Sequence, residues 1–263
     1  RCADVTGVQT CALPIYFNED HRLKTRHGMV EFVTSTKYIL EYLNDDFNKK
    51  ILDVGAGTGA YSIYFSEKGY DVTAVELVEH NIEIFKKKNS EAKIFKGNAM
   101  DLSMFADSSF EVVLLFGPMY HLLLESEKLK ALEEAKRVVK KNGRIFVSYY
   151  MNDYAILTYG FIKKHILESI EEGRVDKNYH MQNLKDDLYS MVRIEDIDKF
   201  NKLTFLKREK IIASDGASNY IRVALNALSE EEFKEYIKYH LSICERYDML
   251  GASAHLLDIV YKE

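Results

Sequence analysis

Ile51-Leu-Asp-Val-Gly-Ala-Gly-Thr-Gly59, followed by Asp71-Val-Thr-Ala-Val-Glu76, decides how this chain is read. Residues 51–54 are a short apolar run ending in glycines, the pattern of a buried strand entering a tight turn. Three glycines at alternate positions strip Cβ atoms from the turn, so a ligand can rest on bare backbone and φ can be positive without strain. Residues 61–68 continue as a helix, with Ile63, Tyr64 and Phe65 among its apolar positions. Its N-terminal amides and positive dipole end face the loop, which suits a carboxylate or a phosphate. Gly69 stops that helix. Residues 72–75 form the next strand, and Glu76 stands at its carboxyl end. An acid about 20 residues beyond the glycines is placed to accept hydrogen bonds from two ribose hydroxyls. The segment predicts a site for an adenosine-like ligand.

Two cofactors fit such a site. Gly55, Gly57 and Ala60 satisfy the dinucleotide pattern G-x-G-x-x-G/A. Three details favour S-adenosylmethionine (SAM) over NAD. The glycines run on as G-x-G-x-G through Gly59. Asp53, at the strand end, is placed to accept from an ammonium group and would face a pyrophosphate unfavourably. A long helical pattern also precedes the loop. On these residues the chain resembles the class I SAM-dependent methyltransferases, in particular bacterial small-molecule members of types 11 and 25. Their first motif reads here Leu52-Asp-Val-Gly-Ala-Gly-Thr-Gly59. Two other readings stay open: an NAD-binding oxidoreductase of Rossmann type, and a catalytically silent SAM-binding module.

Composition narrows the class. A chain of 263 residues with 47% hydrophobic and 29% charged residues holds one α/β domain, or a domain with a cap. A net charge of −5 and a pI near 6.0 offer no general attraction to nucleic acid or anionic membrane. No apolar run approaches the ~18–20 residues that span a bilayer. Cys2, Cys11 and Cys244 have no metal-ligand spacing, and a reduced, cytoplasmic setting is expected, with no metal. Residues 1–15 read like a translated sequencing adapter, without strand or helix period, and are set aside as non-native.

Along the rest, strand and helix alternate, the signature of a parallel sheet covered on both faces. Residues 17–43 are helical, then strands fall at 93–96, 110–116 and 144–150, with helices at 79–89 and 129–139. Residues 16–150 are thus a SAM-binding Rossmann-like core with N-terminal helices. Residues 151–203 change pattern, with helices expected at 161–172, 181–190 and 194–200, and are read as a helical cap. Residues 204–263 complete the sheet through strands at 205–213 and 255–260, with Asp215-Gly216 as a turn and a long helix over 229–249. The resemblance implies a doubly wound, mostly parallel seven-stranded α/β sheet of order 3-2-1-4-5-7-6, the last strand antiparallel at the sheet edge.

Ligands in such sheets bind beyond the carboxyl ends of the strands. The resemblance implies that Asp53 and the backbone of Gly55, Ala56, Gly57 and Gly59 hold the amino-acid end of SAM, and Glu76 the ribose. Leu77 then packs on one adenine face and Ala99 or Met100 on the other. Asn98 takes the place of an Asp that bonds the adenine amino group. Phe116 and Gly117 pass under the sulfonium. Tyr120 and His121 follow the fourth strand, and His121 is the expected base for an oxygen or thiol acceptor. His255 is expected on the edge strand and His240 on an outer helix. Gly117-Pro-Met-Tyr120 lacks the Asp or Asn that opens the corresponding motif of amino-directed nucleic-acid methyltransferases, so a small-molecule acceptor is expected. Tyr149, Tyr150, Tyr154, Tyr159, Tyr179 and Tyr189 trail into the cap as pocket or filler residues. Tyr16 is a candidate lid, and oligomeric state is open.

Overall fold

The structure, a computed structural model, describes residues 25–184, 187–251 and 253–263. The adapter-like residues 1–15, Tyr16 and the start of the first expected helix lie outside these.

Thr25 opens α1 (Arg26–Leu43), its hydroxyl accepting from the Gly28 amide, and Asn44 ends it in the left-handed conformation. Strand and helix then alternate through β1 (Lys50–Val54), α2 (Ala60–Glu67), β2 (Asp71–Glu76), α3 (Glu79–Lys87), β3 (Lys93–Lys96), β4 (Phe110–Leu115), α4 (Pro118–His121), α5 (Glu125–Val138) and β5 (Val139–Tyr150). Next come α6 (Asn152–Ala155), a π-helical segment (Ile156–Ile162) and α7 (Ile166–Glu171). The chain closes with α8 (Ile194–Thr204), β6 (Lys207–Ala213), α9 (Arg222–Asn226), α10 (Glu230–Ile243), α11 (Tyr247–Leu250) and β7 (His255–Tyr261).

The strands form one seven-stranded sheet in the order β3-β2-β1-β4-β5-β7-β6, as expected. β1 to β5 pair in parallel, and β7 runs antiparallel to both β5 and β6. The edge strand is therefore β6, and β7 is internal, a correction to its expected place. The two-residue period of the strands buries both faces. Ile51, Val72, Ala74, Val112 and Leu114 pack with Tyr38, Ile39 and Phe65 of α1 and α2. Leu52, Val54, Val75, Val113 and Leu115 pack on the other face with Leu132, Ala135, Ile197 and Phe200 of α5 and α8. No helix among the described residues is long and apolar enough to cross a membrane.

The segment after β5 departs from expectation. No helix forms among the described residues of 181–190, because their amides are used elsewhere. Met181 donates to Asn152 Oδ1 (2.8 Å), Gln182 to the Arg174 carbonyl (2.7 Å) and Ser190 to the Tyr120 carbonyl (2.6 Å). The helix expected over 229–249 opens on its capping box, with Glu232 Oε2 accepting from the Ser229 amide (2.7 Å). It ends at Ile243, where the Cys244 carbonyl takes the Ala213 amide (2.9 Å).

α8, expected in the cap, covers the sheet instead. Asn201 Nδ2 donates to Asp258 (2.6 Å), and Arg208 Nε meets the same carboxylate at 2.5 Å. Asp258 is fully buried, and burial pushes its carboxyl up despite the guanidinium. Arg208→Met strands that acid, so we expect unfolding free energy to fall by about 3–5 kcal/mol in a urea titration. A loss under about 1 kcal/mol would show that water reaches Asp258.

Candidate functional site

The carboxyl ends of β1, β2 and β4, and the loop after β3, open on one cavity of about 1040 Å³. Among its lining residues are Asp53, Gly55, Ala56, Gly57, Glu76, Leu77, Asn98, Ala99, Phe116, Gly117, Tyr120 and His121. Two expected contributors, Gly59 and Met100, are absent from the lining.

The glycines divide their work. All three take positive φ: +75° at Gly55, +56° at Gly57 and +92° at Gly59. A Cβ at Gly55 would lie 2.5 Å from the Pro118 ring, and one at Gly59 would lie 2.4 Å from the Phe85 ring, whereas one at Gly57 meets nothing within 4 Å. Gly55 and Gly59 are thus small because protein packs on them. Gly57 alone among the three leaves open space beside its backbone.

The turn is clamped to β2 from both sides. The amides of Gly55 and Ala56 donate to the Val75 carbonyl at 2.8 and 3.1 Å. The Gly57 amide donates to Glu76 Oε2 at 2.8 Å, and the Val78 amide to Oε1 at 2.9 Å. Glu76 is 6% exposed, so these amides meet the need of a buried carboxylate for donors. Asp53 lies one strand away. Its Oδ2 accepts from Ser62 Oγ of α2 at 2.6 Å. Burial raises its carboxyl to about 6, the Ser62 bonds oppose the rise, and the charge of Glu76 adds to it.

At the far side, Asn98 Oδ1 accepts from the Met100 amide at 3.0 Å. This bond curls the loop so that Ala99 and Asn98 line the cavity while Met100 packs against the hydrophobic core beneath. The buried Phe116 ring meets Tyr61 edge-on at 4.7 Å. On α4, Tyr120 donates its hydroxyl to Ser148 Oγ at 2.5 Å. His121 Nδ1 lies 3.0 Å from the Leu188 carbonyl, and its ring sits 5.3 Å from that of Tyr189. Beneath them Lys128, 1% exposed, donates to the Leu122 carbonyl and to Ser190 Oγ; burial lowers its ammonium to about 8. Tyr150, Tyr154, Tyr159 and Tyr189 line the cavity. Tyr149 points to the opposite face of β5 into the core, and Tyr179 is exposed.

Sequence reasoning missed a second polar centre made by Glu31, Asp215 and His255, which also faces this cavity at Glu31 and His255. β7 is antiparallel and pairs His255 with Tyr150, so its first residue sits where the parallel strands end. Asp215 follows β6, which ends at the same edge. Asp215 Oδ1 accepts from Ser253 Oγ (2.6 Å) and from the amides of Ala254 and His255 (both 3.0 Å). Its Oδ2 accepts from Asn219 Nδ2 and His255 Nδ1, both at 2.7 Å. Although burial opposes ionisation, the His255 ring and these donors hold the Asp215 carboxyl below its usual value. His240, on the expected long helix, is buried, which depresses its basicity.

The family profile described as a methyltransferase domain matches residues 52–147. A demethylmenaquinone methyltransferase of Paenarthrobacter aurescens is 25% identical over 134 residues, 51% of either chain. A glycine/sarcosine N-methyltransferase of Aphanothece halophytica is 29% identical over 134 residues, 49% of this chain and 50% of that one. The chain spans about half the length of these curated relatives. A SAM-dependent methyltransferase from Archaeoglobus fulgidus superposes with a TM-score of 0.57 at 18% identity, over 95% of this chain and 100% of that one. The [4+2]-cyclase SpnF superposes with a TM-score of 0.55 at 14% identity, over 88% and 81%. Likeness at these identities concerns the fold alone.

Replacing Asp215 by Ala removes the acceptor for two backbone amides and three side-chain donors. We expect a loss of about 3–5 kcal/mol in unfolding free energy by chemical denaturation. A change within about 0.5 kcal/mol would show that water replaces the carboxylate.

Proposed function

From the premise that residues 52–147 are a domain of the class I SAM-dependent methyltransferase family, we propose that the chain moves a methyl group from SAM to a small-molecule acceptor. The observation that carries this reading is the pair of buried acids, Asp53 and Glu76, set about a turn whose Gly57 leaves the cavity open beside its backbone. A pyrophosphate in that place would meet Asp53 unfavourably, which disfavours NAD.

When bound, SAM supplies an electrophilic methyl carbon. Asp53 accepts from its ammonium group. Glu76 uses its remaining lone pairs on the ribose hydroxyls, and Gly57 lets the backbone approach. Leu77 and Ala99 flank the adenine, and Asn98 offers the second lone pair of Oδ1 to the adenine amino group. Phe116 and Gly117 wall the sulfonium, and Tyr120 and His121 wall the acceptor side. The displacement is in line, so the protein contributes alignment and the exclusion of water. The tyrosine-rich segment after β5 selects the acceptor. Small acceptors are supported by the names of the relatives, by the acidic pI and by Gly117 in place of the Asp or Asn that would accept from an exocyclic amine. A reducing, cytoplasmic setting belongs to the same reading, with Cys244 a buried thiol.

Turnover to S-adenosylhomocysteine across small amines, phenols, thiols and carboxylates tests the reaction, and no turnover on any class would favour a silent binding module. In calorimetric titrations, Glu76→Ala should weaken SAM binding by about 2–3 kcal/mol, and Gly57→Val should abolish it. Unchanged affinity in both would sink the assignment. The raised Asp53 carboxyl adds a pH dependence. The free protein holds that proton up to about pH 6, and it must leave before the ammonium binds. Affinity should therefore fall by roughly tenfold per unit as pH drops below that value, and Asp53→Asn should lose this dependence. The same slope in the variant would place the proton elsewhere.

A further inference from the structure

The Glu31–Asp215–His255 centre has the composition of a metal site, with ligand atoms within 4.8 Å of one another. Its hydrogen bonding argues otherwise. Asp215 already accepts five donors across its two oxygens. That leaves it as an orienting group. Its bond to His255 Nδ1 keeps a proton on that nitrogen and makes Nε2 the basic one. At His121, Nδ1 faces the neutral carbonyl of Leu188.

Glu31 Oε2 stands 3.8 Å from His255 Nδ1 and is almost fully buried. Two carboxylates thus gather at the Nδ1 edge of one imidazole. The cations that also line the cavity beside α1 and α9 are exposed Arg222 and partly exposed His27, the latter bonded to Asn226. The rings of Tyr150 and Tyr120 lie 5.2 and 5.5 Å from that of His255. The phenols of Tyr150 and Tyr154 are pushed up, and that of Tyr220 is pushed up to about 12, by burial first and also by the charge of Asp215. A cation would be drawn in by the carboxylates and by the ring faces.

We propose that this end of the cavity receives the methyl acceptor, that the acceptor is a small amine arriving as its ammonium ion, and that His255, oriented by Asp215, removes its proton while Glu31, Tyr120 and Tyr150 hold the charge. The proposal rests on the methyl-transfer reading above. In the first step an N–H bond of the ammonium breaks, the proton goes to His255 Nε2, and the electron pair stays on nitrogen. That pair then forms the N–CH₃ bond as the C–S bond breaks, and the sulfur keeps its electrons. The sulfonium charge passes to the methylated nitrogen, and His255 later returns its proton to water. The carboxylates that attract the ammonium also stabilise the imidazolium, so positive charge moves within one field.

The test is calorimetry in the presence of S-adenosylhomocysteine, using benzylamine and phenethylamine against benzyl alcohol and 4-methylphenol. At neutral pH the amines should bind the wild type at least about tenfold more tightly than the hydroxyl compounds. Glu31→Gln should erase that preference, and Glu31→Asp should keep it. His255→Gln should leave benzylamine affinity nearly unchanged while lowering its methylation by roughly 10²–10⁴-fold. Equal binding of the two series, no binding by the amines, or binding abolished by EDTA overturns the proposal. Failure of S-adenosylhomocysteine itself to bind the wild type would instead defeat the cofactor reading on which it rests.

Discussion

The hydrogen bond from the Gly57 amide to the Glu76 carboxylate, 2.8 Å long, ties together the two strands around which the cavity is built. A buried carboxylate must find donors, and a turn with positive φ must present its amides to something. Each need answers the other. The bond fixes the end of β2 against the end of β1, and Asp53 is fixed beside it by Ser62 of the next helix. The result is a preformed acidic pair before any ligand arrives. Pre-organisation of this kind lowers the ordering cost of binding.

A second constraint shapes the opposite end. Because β7 is antiparallel, its first residue shares an edge with the last residues of β4 and β5. His255 and Asp215 thereby meet the same cavity as the glycine turn, although they lie far from it in sequence. α1 contributes Glu31 from above, its Val30 packed on Leu225 and Phe233. The two polar centres come from different layers of the fold, one from the parallel half of the sheet and one from its antiparallel corner.

The parallel half was legible in the sequence because its signals are local. The apolar run at Ile51 to Val54, the glycines and the acid at Glu76 sit within one β-α-β unit and specify its geometry through short-range sterics. The capping box at Ser229 was legible for the same reason. What escaped depends on distant partners. Gly59 reads like a ligand-facing glycine until Phe85 is seen against it. Met100 reads like an adenine neighbour until the Asn98 turn is seen to pack it against the core. Residues 181–190 carry a helical composition, yet Asn152, Arg174 and Tyr120 take amides from that stretch. His255 was readable in principle, since an antiparallel last strand must begin at the crevice. As an internal strand and not an edge, β7 brings that residue against the end of β5.

The central claim is that the glycine turn and its two acids form a site for the methionine and ribose ends of SAM. Competition between S-adenosylhomocysteine and NAD, followed by calorimetry on the intact chain, tests it most directly. The account predicts one S-adenosylhomocysteine per chain, displaced by SAM and undisturbed by a large excess of NAD. Binding of NAD in preference, with S-adenosylhomocysteine unable to displace it, would contradict it.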